Sequence, residues 1–272
     1  MRTSHRVKSG SAALAVECAG NGPPVIFLHA NVADSRMWRA QMDSIGTDNM
    51  AIAYDRRGFG KTITGPGDFS AVSDLMAVID VVSDGSPAIL VGCSRGGRVA
   101  IDAALQYPER FRALALIAPS IIGAPGAINS PEIQDLMRHV TEVEETGDLD
   151  LLNAAEARIW LDGPLGAEGR VEGDARRLFL DMNGIALRLE SDTEAEIDTA
   201  SAYHRLSDIS MPTLVISGDL DFPFIQDRSR HIAQTVRNGS HHEVPGTAHL
   251  PSLERPAEIT ELLAGFISAN RT

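Results

Sequence analysis

Lysine, cysteine and aromatic side chains are all scarce in this chain. Of its 24 basic residues only Lys8 and Lys61 are lysines, and 37 acidic residues bring the net charge to -13. So acidic a chain lacks the attraction to phosphate backbones and anionic lipid on which nucleic-acid and membrane-surface binding depend, so neither partner is expected. The two cysteines, Cys18 and Cys93, stand far apart. They make no disulfide framework, and no Cys/His cluster has zinc spacing, so the reading is a reducing compartment and no metal. His241-His242-Glu243 does not change this, because neighbouring residues of a strand point to opposite faces. No apolar run approaches the length of a membrane span. Met1-Arg2-Thr3-Ser4-His5-Arg6 leads into no apolar stretch of the secretory type, so a soluble cytoplasmic protein is the expectation. No Gly-x-Gly-x-x-Gly follows the first parallel strand, which argues against a dinucleotide, and no cofactor is expected. Internal repeats and low-complexity tails are absent too.

What is present is a rhythm. The 272 residues are 43% hydrophobic, enough for one large α/β domain with an insertion or two small ones. His5 to Lys8 and Ala12 to Cys18 read as a hairpin around Ser9-Gly10-Ser11. Val25 to Leu28, Met50 to Tyr54, Ala88 to Val91 and Ala113 to Ala118 are short, nearly continuous apolar runs. Between them lie helical patterns near Met37 to Ile45, Phe69 to Val82 and Arg98 to Leu105. Strands alternating with helices imply parallel pairing through crossovers, with both faces of the sheet covered. After Pro119 the rhythm changes. Residues 120–207 contain no convincing strand and read as four helices: Pro131 to Glu145, Leu149 to Trp160, Asp174 to Arg188 and Thr193 to Arg205. This stretch holds 18 acidic residues against 7 arginines, a net of -11, read as a solvated outer face that hints against strongly anionic substrates. Thr213 to Ser217, Phe224 to Val236, Ser240 to Val244 and Pro256 to Ala269 resume the strand and helix alternation. The expected organisation is a core of residues 1–119 and 208–272, interrupted by a helical cap over 120–207.

The chain turns on Gly92-Cys93-Ser94-Arg95-Gly96, which sits between a buried strand and a helix. A serine at the apex of a strand-to-helix turn is held in a strained conformation, and glycines on either side let the two arms pass closely. The N–H groups opening the helix lie beside its positive end, where an anion would be stabilised. Serine needs a base within hydrogen-bond reach, and the base needs an orienting acid. Reacting groups of parallel sheets gather past the carboxyl ends of the strands. The polar residues there are His29 with Asn31, Asp55, Ser94, Asp219 with Asp221, and His249. Periodicity does not choose between Asp219 and Asp221. Asp219, nearer the strand end, is better placed to hydrogen-bond its own turn, which leaves Asp221 to reach across. His29 reads as a brace for its loop and Asp55 as the anchor of its own. Cys93 reads as a core residue, its side chain pointing inward.

The segments Leu28-His29-Ala30-Asn31, Tyr54-Asp55-Arg56-Arg57-Gly58-Phe59-Gly60, Gly92 to Gly97, Gly218-Asp219-Leu220-Asp221 and Gly246-Thr247-Ala248-His249, in this order, resemble the α/β-hydrolase superfamily over nearly the whole chain. Ala33 to Trp38 with Gln41, and the helical insert, are most similar to its enol-lactonase, esterase and cofactor-free haloperoxidase branch. The resemblance implies an α/β-hydrolase fold, a mostly parallel doubly wound sheet with a helical cap. It also implies a serine hydrolase of a small ester or lactone, with Ser94 as nucleophile, His249 as base and Asp221 as orienting acid. The oxyanion would rest on the backbone N–H groups of Asn31 and Arg95. Trp38, Trp160, Phe222 and Leu250 are candidates for the pocket wall. Ala30 stands where the family usually has glycine, and Arg95 where a smaller or apolar residue is common. Carbon–carbon bond hydrolysis or perhydrolysis would use the same three residues, and a non-catalytic binding protein would use none of them. The sequence leaves a homo-oligomer open.

Overall fold

The computed structural model describes residues 2–189, 196–197 and 201–271. β1 (Arg2–Ser9) and β2 (Ala12–Ala19) form an antiparallel hairpin that pairs Ser9 with Ala12 across Gly10 and Ser11, with Gly10 at φ 55°. β3 (Pro24–Leu28), α1 (Arg39–Ile45), β4 (Met50–Tyr54), α2 (Ala71–Val82), β5 (Ala88–Cys93), α3 (Arg95–Gln106) and β6 (Phe111–Ile117) then alternate. α4 (Pro131–Glu145), α5 (Leu149–Glu156) and α6 (Gly173–Arg188) follow without an intervening strand. β7 (Thr213–Gly218), α7 (Pro223–Thr235), β8 (Gly239–Val244), α8 (Pro251–Glu254) and α9 (Pro256–Ala269) complete the chain.

The eight strands lie in the order β1-β2-β4-β3-β5-β6-β7-β8. β2 joins β4 antiparallel, and every pairing from β4 to β8 is parallel. The central strands are apolar throughout because both faces are covered, and alternate side chains enter opposite layers. Ile26, Leu28 and Leu90 pack with Leu75 of α2, Val99 of α3 and Ile232 of α7. Val25, Phe27 and Val91 pack on the other side with Met42 of α1 and Leu263 of α9. Each such fully buried side chain contributes roughly 1.5–3 kcal/mol relative to exposure. Among the described residues no helix is long and apolar enough to cross a membrane.

Of the helices between β6 and β7, α4 and α5 start at side-chain caps. Ser130 accepts the N–H of Ile133 at 3.5 Å with Pro131 in the first turn, and Asp148 accepts the N–H groups of Asp150 and Leu151 at 3.1 Å. The acids of α4 are exposed and its one buried residue is Ile133, as expected of a solvated outer face. The predicted helix Leu149 to Trp160 changes hydrogen-bond pattern on the way: α5 ends at Glu156, and a π-helical turn, Ala157–Leu161, takes over.

The fourth expected helix, Thr193 to Arg205, is not found in the described residues. Positions 193–195 and 198–200 lie outside them. Glu196 instead makes an isolated parallel bridge to Phe69, and Tyr203–Asp208 is a 3-10 helix. Three short elements went unread in the sequence: the 3-10 turns Ser35–Trp38 ahead of α1 and Pro108–Arg110 ahead of β6, and α8.

Candidate active site

Ser94 links β5 to α3 with φ 52° and ψ −114°, a left-handed region that costs a non-glycine residue free energy. The surroundings hold it there. Its N–H donates to Ile117 O at 2.9 Å, and its carbonyl accepts from the N–H groups of Arg98 and Ser120, each at 3.1 Å. The glycines are required by space. A Cβ on Gly92 would stand 2.5 Å from Gly96 O, and one on Gly96 would stand 2.2 Å from Leu28 O. The strand, turn and helix can therefore approach only without side chains at these two positions.

Past the end of β7, Asp221 is fully buried, and its Oδ2 receives the Nδ1–H of His249 at 2.7 Å. Its Oδ1 accepts the N–H of Phe222 at 2.8 Å, so both carboxylate oxygens are engaged. An Nδ1–H donated to the carboxylate leaves His249 Nε2 as the basic nitrogen. Asp219 does hydrogen-bond, as the sequence suggested, but not within its own turn: its Oδ1 accepts the N–H of Gly246 at 2.6 Å, from the loop that carries His249. Gln226 Nε2 ties the carbonyls of both aspartates, at 3.0 Å and 2.7 Å.

Ser94, His249, Asn31 and Trp160 meet at one cavity of about 180 Å³, which Val32 and Glu156 complete. No hydrogen bond joins Ser94 to His249, and such contacts commonly tighten only when substrate fills a site. The Trp160 ring lies 4.8 Å from the His249 ring and 5.2 Å from Phe222. Phe222 is thus a buried support for Trp160 and not part of the cavity wall. Trp38 and Leu250, also expected at the pocket, are fully buried in the core layer of α1 and α9, with Trp38 5.4 Å from Phe27. Trp38 packs inward because it ends the 3-10 turn that packs on β3 and β4. Cys93 is likewise buried, and burial pushes its thiol far above the ordinary range.

The loop after β3 is held by His29 and Asp55. His29 is fully buried; its Nδ1 lies 2.7 Å from Ala30 O, and its Nε2 accepts the N–H of Arg56 at 3.0 Å. Burial, and then the Arg56 charge, push its pKa well down, so it is a neutral strut and no base. Asp55 accepts the N–H groups of Ser35 at 2.9 Å and Lys61 at 2.7 Å. The Arg95 side chain pairs with Glu196.

Glu156 is the wall residue that sequence reasoning missed. Its carboxylate accepts from Asn183 Nδ2 at 2.5 Å, and Asn183 also reaches Asn153 Oδ1 at 3.0 Å. Burial raises the Glu156 pKa above the ordinary carboxylate value. Nothing in the local sequence marks it, because its place at the cavity depends on how the π-helical turn docks.

Known proteins are similar to this chain over nearly its full length. The chain is 22% identical to 3-oxoadipate enol-lactonase 1 of Acinetobacter baylyi over 251 residues, covering 92% of this chain and 90% of that one. It is 23% identical to a putative non-heme bromoperoxidase of Mycobacterium tuberculosis, over 94% of this chain and 98% of the other. A solved thermophilic esterase from Thermogutta terrifontis, with malate bound, superposes over the full length of both chains with a TM-score of 0.76 at 23% identity. The family model for alpha/beta hydrolases matches residues 25–262, a span that takes in Ser94, Asp221 and His249 together. With a strained serine at the elbow and a buried Asp–His pair beside it, on a sheet of this order, the chain belongs to the alpha/beta hydrolase family.

Proposed function

We propose that this hydrolase cleaves a small carboxylic ester or lactone through an acyl-enzyme on Ser94. The observation that carries the reading is the 2.7 Å contact between the buried Asp221 and His249, whose ring shares a cavity with Ser94. Ser94 Oγ attacks the carbonyl carbon as His249 Nε2 takes its proton. Asp221 holds the imidazole in the Nδ1–H tautomer and stabilises the imidazolium. The tetrahedral oxygen rests on the N–H groups of Arg95 and Asn31. In support, neither N–H has a backbone partner among the described residues, and the Arg95 N–H opens α3. His249 then passes its proton to the leaving alcohol. Water, activated by the same nitrogen, releases the acid. Residues 120–207 act as a cap, contributing Glu156 and Trp160 to the wall of the cavity.

The reading draws support from relatives named as an enol-lactonase and an esterase. Its test is hydrolysis of short 4-nitrophenyl esters without added metal or cofactor. Ser94→Ala is expected to lower kcat by about 10⁴–10⁶, the range found for serine triads. A fluorophosphonate probe labelling another residue, with Ser94→Ala still active, would refute it.

A further inference from the structure

A second cavity, of about 370 Å³, shares Asn31 with the first and is also lined by Tyr54, Arg56, Arg57, Arg95 and Glu196. Its arginines differ in their partners among the described residues. Arg57 pairs with Asp74 at 2.8 Å, and Arg95 pairs with Glu196. Arg56, only 8% exposed, has no carboxylate partner among the described residues. Its Nη2 donates to Ala30 O and Asn31 Oδ1, both at 3.3 Å, and its guanidinium lies 4.7 Å over the Phe59 ring. Nε has no partner, and Nη1 donates to none of the described residues. The Tyr54 hydroxyl, buried beside it, is also unpartnered. Burial pushes the Arg56 pKa down to about 10. A cation taken out of water without an anion carries an uncompensated desolvation cost, which a bound anion removes.

We propose that this cavity is a carboxylate subsite, in which Arg56, assisted by the Tyr54 hydroxyl, binds a carboxylate borne by the substrate whose ester carbonyl lies at Ser94. The proposal rests on the ester or lactone reading above. It specifies the substrate class as a hemi-ester or lactone that keeps one free carboxylate. Glu156 in the wall of the Ser94 cavity gives the two cavities opposite polarity, so an anionic substrate is oriented with its charge toward Arg56. The acidity of residues 120–207 does not oppose this, because the α4 acids lie on the exposed face while Arg56 is internal. Arg56 also grips Ala30 O and the Asn31 side chain. The same guanidinium therefore touches the anion and the loop that supplies an oxyanion N–H.

The test compares 4-nitrophenyl hemi-esters of succinic, glutaric and adipic acids with the neutral butyrate, valerate and hexanoate of matching length, after subtraction of spontaneous hydrolysis. Wild type is expected to favour at least one hemi-ester in kcat/KM, chiefly through KM. Arg56→Gln should cut that preference by about 100-fold, the scale of a charge-assisted hydrogen-bond pair. Arg56→Lys should restore part of it. No preference in wild type, or an equal loss on both ester series in Arg56→Gln, overturns the subsite and leaves Arg56 a structural residue. Sodium glutarate separates the two readings. It should raise the Tm of wild type and of Ser94→Ala but not of Arg56→Gln. That pattern without hydrolysis of any ester would overturn the Ser94 chemistry and uphold the anion site. An equal Tm rise in Arg56→Gln would overturn the anion site itself.

Discussion

Two aspartates two residues apart, both tied to the loop of His249, allow a sharp separation of chemistry from stability. Asp221→Asn keeps the shape of the side chain. Its amide oxygen can still accept the Phe222 N–H at the Oδ1 position. The nitrogen would then face His249 Nδ1, where a carboxylate oxygen stands now at 2.7 Å. Two donors cannot share that contact, so the imidazole changes tautomer and places its proton on Nε2. A base already protonated at Nε2 cannot take the Ser94 proton, and kcat should fall by about 10⁴. Asp219→Ala removes something else, a 2.6 Å charge-assisted bond to the Gly246 N–H. Losing such a bond costs roughly 1.5–3 kcal/mol. With about 2 cal/mol/K of unfolding entropy per residue, a chain of 272 residues converts this to a Tm loss of about 3–5 °C. The assay is kcat on 4-nitrophenyl acetate, with Tm and urea midpoint, for both variants. The expected result is an inactive, stable Asp221→Asn and an active, less stable Asp219→Ala. Activity retained in Asp221→Asn but lost in Asp219→Ala would refute the assignment.

Two further outcomes follow from the same contacts. Gly96→Ala sets a Cβ 2.2 Å from Leu28 O, a rigid backbone atom, and should cost several kcal/mol or abolish soluble expression; a Tm within about 2 °C of wild type would show that the elbow can widen. Glu156→Gln should raise Tm at pH 8 and give a smaller gain at pH 4.5. Burial raises the folded-state pKa of Glu156, so its ionised form weighs against folding above that pKa and the penalty fades as the carboxyl protonates; a gain independent of pH would contradict this.

The parallel sheet was legible because strands buried on both faces must be continuously apolar, as Val25 to Leu28 and Ala88 to Val91 are. Ser94 was legible because the elbow imposes glycine at fixed offsets, and the reason is visible in the space around Gly92 and Gly96. Side chains that act through distant partners left no such trace. Arg56 and Arg57 are adjacent and chemically alike. Only the tertiary structure gives Asp74 to Arg57 and, among the described residues, no carboxylate to Arg56. Trp38 and Trp160 had equal standing as pocket residues. Docking of the 3-10 turn buries one against Phe27, and the π-helical turn brings the other to His249.

The same dependence on tertiary contact explains why the helices between β6 and β7 do more than line a cavity. Arg170, from the segment before α6, donates through Nη1 to Gly246 O at 2.9 Å and through Nη2 to the buried Glu254 at 2.6 Å. Glu254 in turn accepts the Ala248 N–H at 2.9 Å. Gly246 is therefore held at both its backbone groups, its N–H by Asp219 and its carbonyl by Arg170. One hold comes from the loop after β7, the other from the stretch between the sheet strands. Gly246 has φ 72°, a turn conformation that glycine adopts without strain. Three residues later stands His249. Its loop is thus tied both to the core, through Asp219, and to residues 120–207, through Arg170.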